Sequence, residues 1–189
     1  FRYYYGTPVI GNSQALISVP SQIKTDNYLF KIISLPGHSN CSLGYYEQTE
    51  KWFFTGDAIP LPEKKRDSSI GENMTGLLNS LQKIAKMDIS VLFTGHCGVK
   101  TEVTSFIQPR LTWLEEFQSK VRELAKEGFS PKQIRKTLFG REKLYTYLIH
   151  GEHSCLNSIL SFLTNKRPVD LTSEQIKELD MNPTAFTNI

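Results

Sequence analysis

Three times within the first hundred residues, an apolar run ends at a glycine and a histidine or aspartate follows at once. The segments are Leu35-Pro36-Gly37-His38, Phe53-Phe54-Thr55-Gly56-Asp57 and Leu92-Phe93-Thr94-Gly95-His96. This repeat constrains the fold more than any other feature. Strands that run the same way deliver their C-terminal residues to one rim of a sheet, and glycine lets the backbone turn so that the next side chain faces that rim. Imidazole nitrogen and carboxylate oxygen are donors that zinc accepts, and the same set suits manganese or iron. Taken singly, each segment reads as a rim residue or a turn. Taken together, His38, Asp57 and His96 read as a shared metal site on pre-positioned strand ends.

The runs around these segments fill in a mixed sheet. Tyr28 to Ser34 is β-branched and aromatic and stops at Pro36-Gly37. Ser42–Glu47 and Lys51–Thr55, split by Gln48-Thr49-Glu50, predict a hairpin. Residues 60 to 73 carry two prolines and the charge run Glu63-Lys64-Lys65-Arg66-Asp67, which predicts a solvated polar loop. Leu77, Leu78, Leu81, Ile84 and Ala85 fall at helical spacing, and Ile89–Phe93 is a compact strand. Strand, hairpin, helix and strand in this order imply a mixed sheet with helices packed on it.

From Pro109 the pattern turns helical. Leu111, Leu114, Phe117, Val121 and Leu124 mark a helix that Gly128 ends, and Ser130-Pro131 opens another. Leu144–Ile149 and His153–Leu163 predict two more, with His153 or Ser154 as cap. Thr172 to Gln175 is a capping box for a last one. The expected organisation is therefore a sheet-bearing region over 1–108 and a helical extension over 109–189.

The Pro36-Gly37-His38-Ser39, Phe54-Thr55-Gly56-Asp57 and Phe93-Thr94-Gly95-His96 segments resemble the third, fourth and fifth motifs of the metallo-β-lactamase superfamily. The resemblance covers roughly residues 28 to 98. It implies an α/β fold, the C-terminal half of that family's αββα sandwich, followed here by a helical C-terminal extension. It also implies that His38 binds one ion, that Asp57 bridges two and carries most of the visible catalysis, and that His96 binds the second. The implied enzyme is a hydrolase that turns a hydroxide held by two zinc ions, or by manganese or iron, on an ester, thioester, lactone or related bond of a small molecule.

The chain departs from the family at its His-x-His-x-Asp-His cluster. The four histidines here are His38, His96, His150 and His153, and none precedes residue 38. Phe1 to Thr7 then reads as mid-domain sequence, with Phe1-Arg2-Tyr3-Tyr4-Tyr5 as a buried strand. A chain holding half of the metal donors is expected to be inactive alone. A half-sheet also exposes apolar edges and a bare face, so it calls for the other half of its domain or for self-association. A non-catalytic interaction module is the competing expectation.

The tail segments Glu127-Gly128-Phe129-Ser130-Pro131 and Gly151-Glu152-His153-Ser154 are similar to the helical extension of glyoxalase-II-like hydrolases. That similarity implies substrate contacts for His150, His153 and Lys143. A helix break at Gly151 is the plainer reading of the two histidines. Ser39 and Thr55 are candidates for orienting the ligands.

Composition narrows the remainder. Apolar residues at 39% and charged residues at 22% match a globular domain. A net charge of +3, from 22 basic and 19 acidic residues, argues against nucleic acid as a partner. No run approaches the roughly 20 apolar residues that cross a bilayer. Three cysteines without a CxxC pair suit a reducing compartment, so the expected location is the cytoplasm.

Overall fold

The computed structural model describes residues 19–186, so the expectations for Phe1–Thr7 lie outside the described residues. The elements run β1 Gln22–Lys24, β2 Leu29–Ser34, β3 Leu43–Glu47, β4 Trp52–Gly56, β5 Ser68–Ser69, α1 Met74–Ala85, β6 Val91–Thr94 and β7 Gly98–Lys100. Then come α2 Val103–Lys126, α3 Pro131–Phe139, α4 Leu144–Leu148, β8 His153–Ser154, α5 Cys155–Thr164 and α6 Ser173–Met181. Two short 3₁₀ turns, Pro168–Asp170 and Pro183–Phe186, flank α6.

Six strands form one sheet in the order β1-β2-β3-β4-β6-β7. The neighbours β2, β3 and β4 are antiparallel in turn, whereas β4 and β6 are parallel. Two reversals restore direction, so β2, β4 and β6 all point the same way. Their C-terminal ends, where Pro36-Gly37-His38, Asp57 and His96 follow, reach one rim. Adjacent strands lie roughly 4.8 Å apart. Asp57 and His96 therefore leave neighbouring strands, and His38 approaches from two strands away.

The two faces of the sheet differ. Cross-strand pairs place Tyr46, Phe53 and Leu92 in one row and Ile33 and Gly44 in another on the same face. Phe53 and Leu92 are fully buried there with Leu35, Leu77, Leu81, Leu114 and Phe162. Helices α1, α2 and α5 share the core with this face: buried positions recur at three and four residues in α1 and α2, giving each one apolar stripe, whereas α5 is buried at nine of its ten positions. The other face carries Ile32, Tyr45, Phe54 and Phe93 in one row and Phe30, Trp52 and Val91 in the next. Phe54 stacks on Phe93 at 4.3 Å, and Phe30 meets Phe54 edge-on at 6.0 Å. These rings remain half-buried, and none of them belongs to the core.

Most expected elements are present; two differences are informative. The helix expected to open at Pro109 begins at Val103, with Pro109 inside it, so residue 109 falls within a helix. Proline suits a first turn, which is why it read as a start. The described helix instead runs six residues further toward the N-terminus. The expected loop over 60–73 holds the two-residue strand β5, which pairs with β8 as Ser68↔Ser154 and Ser69↔His153. Among the described residues no helix is long and apolar enough to cross a membrane.

Candidate metal centre

Each of the three turns at the rim is closed by its own hydrogen bonds. Gly37 has φ +147°, and a Cβ on it would collide with the backbone of Leu77. The Asn73 N–H donates to its carbonyl at 2.8 Å, so the turn is clamped against the start of α1. Gly95 donates to the Gly56 carbonyl at 2.9 Å, tying the fourth and sixth strand ends together. A Cβ on Gly95 would occupy the space of Asp57 Oδ1. The β4–β6 register shifts between Phe54 and Gly56, a bulge of the kind that re-aims a side chain at a rim. Thr94 closes the third turn: its hydroxyl donates to the Gly98 carbonyl at 3.0 Å and accepts from Cys97 N–H at 2.9 Å.

These turns bring the three side chains together. His38 Nε2 is 3.9 Å from Asp57 Oδ2, and His96 Nε2 is 3.2 Å from Asp57 Oδ1. Each imidazole faces a different oxygen of one carboxylate. Two donors about 2.1 Å from a tetrahedral ion sit roughly 3.4 Å apart. The donor types and both separations therefore fit a carboxylate placed between two ions, with one imidazole on each. Such an arrangement supplies two protein donors per ion. Accordingly, among the described residues no group of three or more His, Cys, Asp or Glu side chains is arranged to hold a metal ion.

The side chains open into a cavity of about 260 Å³ lined by His38, Asp57, Ile59, Pro60, Leu61, Lys65, Glu72, Leu77, His96 and His153. Of the residues expected to contact substrate, His153 reaches the cavity, whereas Lys143 and His150 lie outside its lining. Lys143 Nζ is instead 3.3 Å from Asp67, and His150 is exposed with φ +52° at the helix break. Ser39 bonds Ser42 at 2.8 Å and Thr55 reaches the Phe93 carbonyl at 3.4 Å, so neither hydroxyl touches a candidate ligand.

Glu72 is the residue that sequence reasoning missed. Its Oε1 lies 2.9 Å from His38 Nδ1, and its side chain is 6% exposed. Lys65, expected to be solvated, is 12% exposed and sits 2.8 Å from Glu72 Oε2. The Ser69 N–H adds a bond at 3.1 Å. Burial is the largest influence on Glu72 and would raise its pKa. The Lys65 charge, the hydrogen bonds from Lys65 and His38, and the Ser69 amide together outweigh it, so the carboxyl is held below the usual carboxylate range. The sole signal in the chain was one acid, Glu72, just before the cap of α1.

Comparison with known proteins bears on the fold and on the segment that carries these three side chains. Residues 26–96 match the family model described as the metallo-beta-lactamase superfamily. A beta-lactamase domain protein from Burkholderia ambifaria superposes with a TM-score of 0.56 at 16% identity, over 78% of this chain and 44% of that one. A metallo-beta-lactamase family protein from Thermus thermophilus gives 0.53 at 16% identity, over 79% of this chain and 48% of that one. A metallo-beta-lactamase from Pontibacter korlensis gives 0.50 at 14% identity, over 60% of each chain. This chain thus spans less than two thirds of the solved proteins it matches. Residues 26–96, the motif-bearing segment, thus match the metallo-beta-lactamase superfamily model, and the fold is shared with these solved proteins.

Proposed function

We propose that this chain carries one side of a two-ion centre in a metal-dependent hydrolase. One observation supports the reading above the rest: two imidazoles approach opposite oxygens of the single carboxylate Asp57, on the ends of three strands that run the same way. His38 and Asp57 would hold one ion, and Asp57 and His96 the other. Zinc is the first choice for these donors, and manganese or iron are accommodated by the same set. Bound divalent ions supply Lewis acidity and lower the pKa of water toward neutrality. Asp57 is the catalytic residue in this assignment, because its carboxylate lies between both positions and can orient the attacking water. His153, at the mouth of the cavity, is placed to contact a small-molecule ester, thioester or lactone. Lys143 and His150 would reach such a substrate if it extends beyond the cavity. The three cysteines are unpaired, which accords with a cytoplasmic setting.

Catalytic zinc sites use three protein ligands and an open position. Two donors per ion make weak binding and no turnover the expected behaviour of the 189-residue chain. Zinc titration of the metal-free chain should show saturable binding that Asp57→Ala abolishes and that His38→Ala or His96→Ala halves in stoichiometry. Undiminished binding by Asp57→Ala would sink the assignment, and ester hydrolysis by the chain alone would overturn the expectation of no turnover.

Among the described residues the aromatic face of the sheet is only half-covered, which favours a second reading, a non-catalytic interaction module. Covering that face calls for another apolar layer, from the same domain or from a second copy. Absence of any zinc binding together with tight self-association would select the module.

A further inference from the structure

The two nitrogens of His38 meet carboxylates of different character. Asp57, opposite Nε2, is 41% exposed and lies on the cavity wall. Glu72, opposite Nδ1, is buried and held by two further groups, the Lys65 ammonium at 2.8 and 3.0 Å and the Ser69 amide at 3.1 Å. An ionised carboxylate can accept but not donate, so the contact of 2.9 Å requires the ring proton on Nδ1. In a neutral ring the lone pair of Nε2 then faces the cavity. Ser69 is itself paired with His153 across the short β5–β8 ladder, and the Ile70 N–H donates to the Glu152 carbonyl at 2.8 Å. A continuous run of contacts therefore leads from the helical extension through Ser69 and Glu72 to His38.

We propose that Glu72 is a positioning residue that fixes the tautomer and ring orientation of His38, with Lys65 as its buried counter-ion and the β5–β8 ladder as its support. Glu72 is hydrogen-bonded to His38, Lys65 and Ser69. It acts through His38 by keeping Nε2 unprotonated and aimed toward Asp57. The value of this arrangement for metal binding rests on the reading of His38 as a metal donor. The assignment of the ring proton does not.

Long-range ¹H–¹⁵N correlation spectra of the histidine rings in the metal-free 189-residue chain, recorded where the rings are neutral, test this directly. His38 should show a protonated Nδ1 and an unprotonated Nε2. Glu72→Asp keeps the charge opposite Lys65 but withdraws the acceptor by one methylene. Lys65→Met/Glu72→Leu removes both buried charges together, which avoids leaving one unpaired. In both variants His38 should lose its tautomer preference, and zinc affinity should fall by about 10- to 100-fold. A proton on Nε2 in the unsubstituted chain overturns the proposal, even where a variant fails to fold. So does an unchanged His38 tautomer in either folded variant. Tautomer changes as expected, with no zinc binding by any form, leave the positioning role standing and remove the hydrolase reading. Equal zinc binding by all forms with an unchanged ring does the reverse.

Discussion

The carboxylate of Asp57 rests where a side chain on residue 95 would be, with the Gly56 backbone 3.1 Å away, so a side chain there meets Asp57 first. Gly95→Ala should push Asp57 off its place between the imidazoles while the buried helix contacts stay intact. Gly37→Ala meets the backbone of Leu77 at φ +147°, so its cost falls on the fold, at about 2–3 kcal/mol or more. Urea unfolding and zinc titration of the two variants should separate them: Gly37→Ala with a lowered midpoint, Gly95→Ala with lost binding at a near-native midpoint. Equal midpoints would show that the α1 contact is not rigid. At this scale much of the site was legible. His38, Asp57 and His96 share a local pattern that local reasoning can detect, because glycine after a strand is visible in the chain itself. Glu72 and Lys65 were not legible, since 34 and 27 positions separate them from His38 and their pairing depends on how a loop folds back. Charge runs usually face water, which is why Lys65 read as solvated.

Helix α1 shows how one element serves both fold and site. Asn73 caps it: its side-chain oxygen accepts from the Gly76 N–H at 2.9 Å, and its amide nitrogen donates to the Asn165 carbonyl at 2.9 Å. The Met74 N–H, an otherwise unpaired first-turn donor, finds Ser161 Oγ of α5 at 2.8 Å. The start of α1, directly after Glu72, is thus tied to the helical extension. Asn73→Ala removes the cap and the cross-link together and should cost about 1–2 kcal/mol. Asn73→Asp keeps the cap acceptor but loses the bond to Asn165, so its loss in urea midpoint should be smaller. Identical losses would mean that the cap contributes nothing. Helical periodicity made α1 legible, the capping box at Thr172 made α6 legible, and β-branched and aromatic runs made β2 to β4 legible. The β5–β8 ladder has two residues a side and no periodicity to read. The start of α2 was hidden by Pro109, whose usual place is the first turn of a helix.

Over the whole molecule the layers are unequal. One face of the six-stranded sheet lies under α1, α2 and α5, and the opposite face presents Phe30, Tyr45, Trp52, Phe54 and Phe93 half-covered. These five aromatics share one face of β2 to β6 by two-residue alternation, with the buried Glu47 between Phe30 and Trp52, so this face too is largely apolar. A groove of about 350 Å³ runs between Ile23, Phe30, Tyr45 and Phe54 on that side. Aromatic side chains offer about 150–250 Å² each, and covering a third of one contributes about 1–2 kcal/mol. Five such rings side by side leave about 250–400 Å² to solvent, the size of patch that often marks an interaction surface. Two copies can bring these faces together as sheets pack in a sandwich, about 10 Å apart. Sedimentation of the 189-residue chain should therefore show a concentration-dependent dimer or larger species. Tyr45→Lys with Phe54→Lys places two charges at the centre of the face and should return the chain to a monomer without loss of helical content, because neither ring contributes to the core beneath α1 and α2. A monomer at high concentration before any substitution would mean that the aromatic rings satisfy one another across the strands and that this face needs no covering layer.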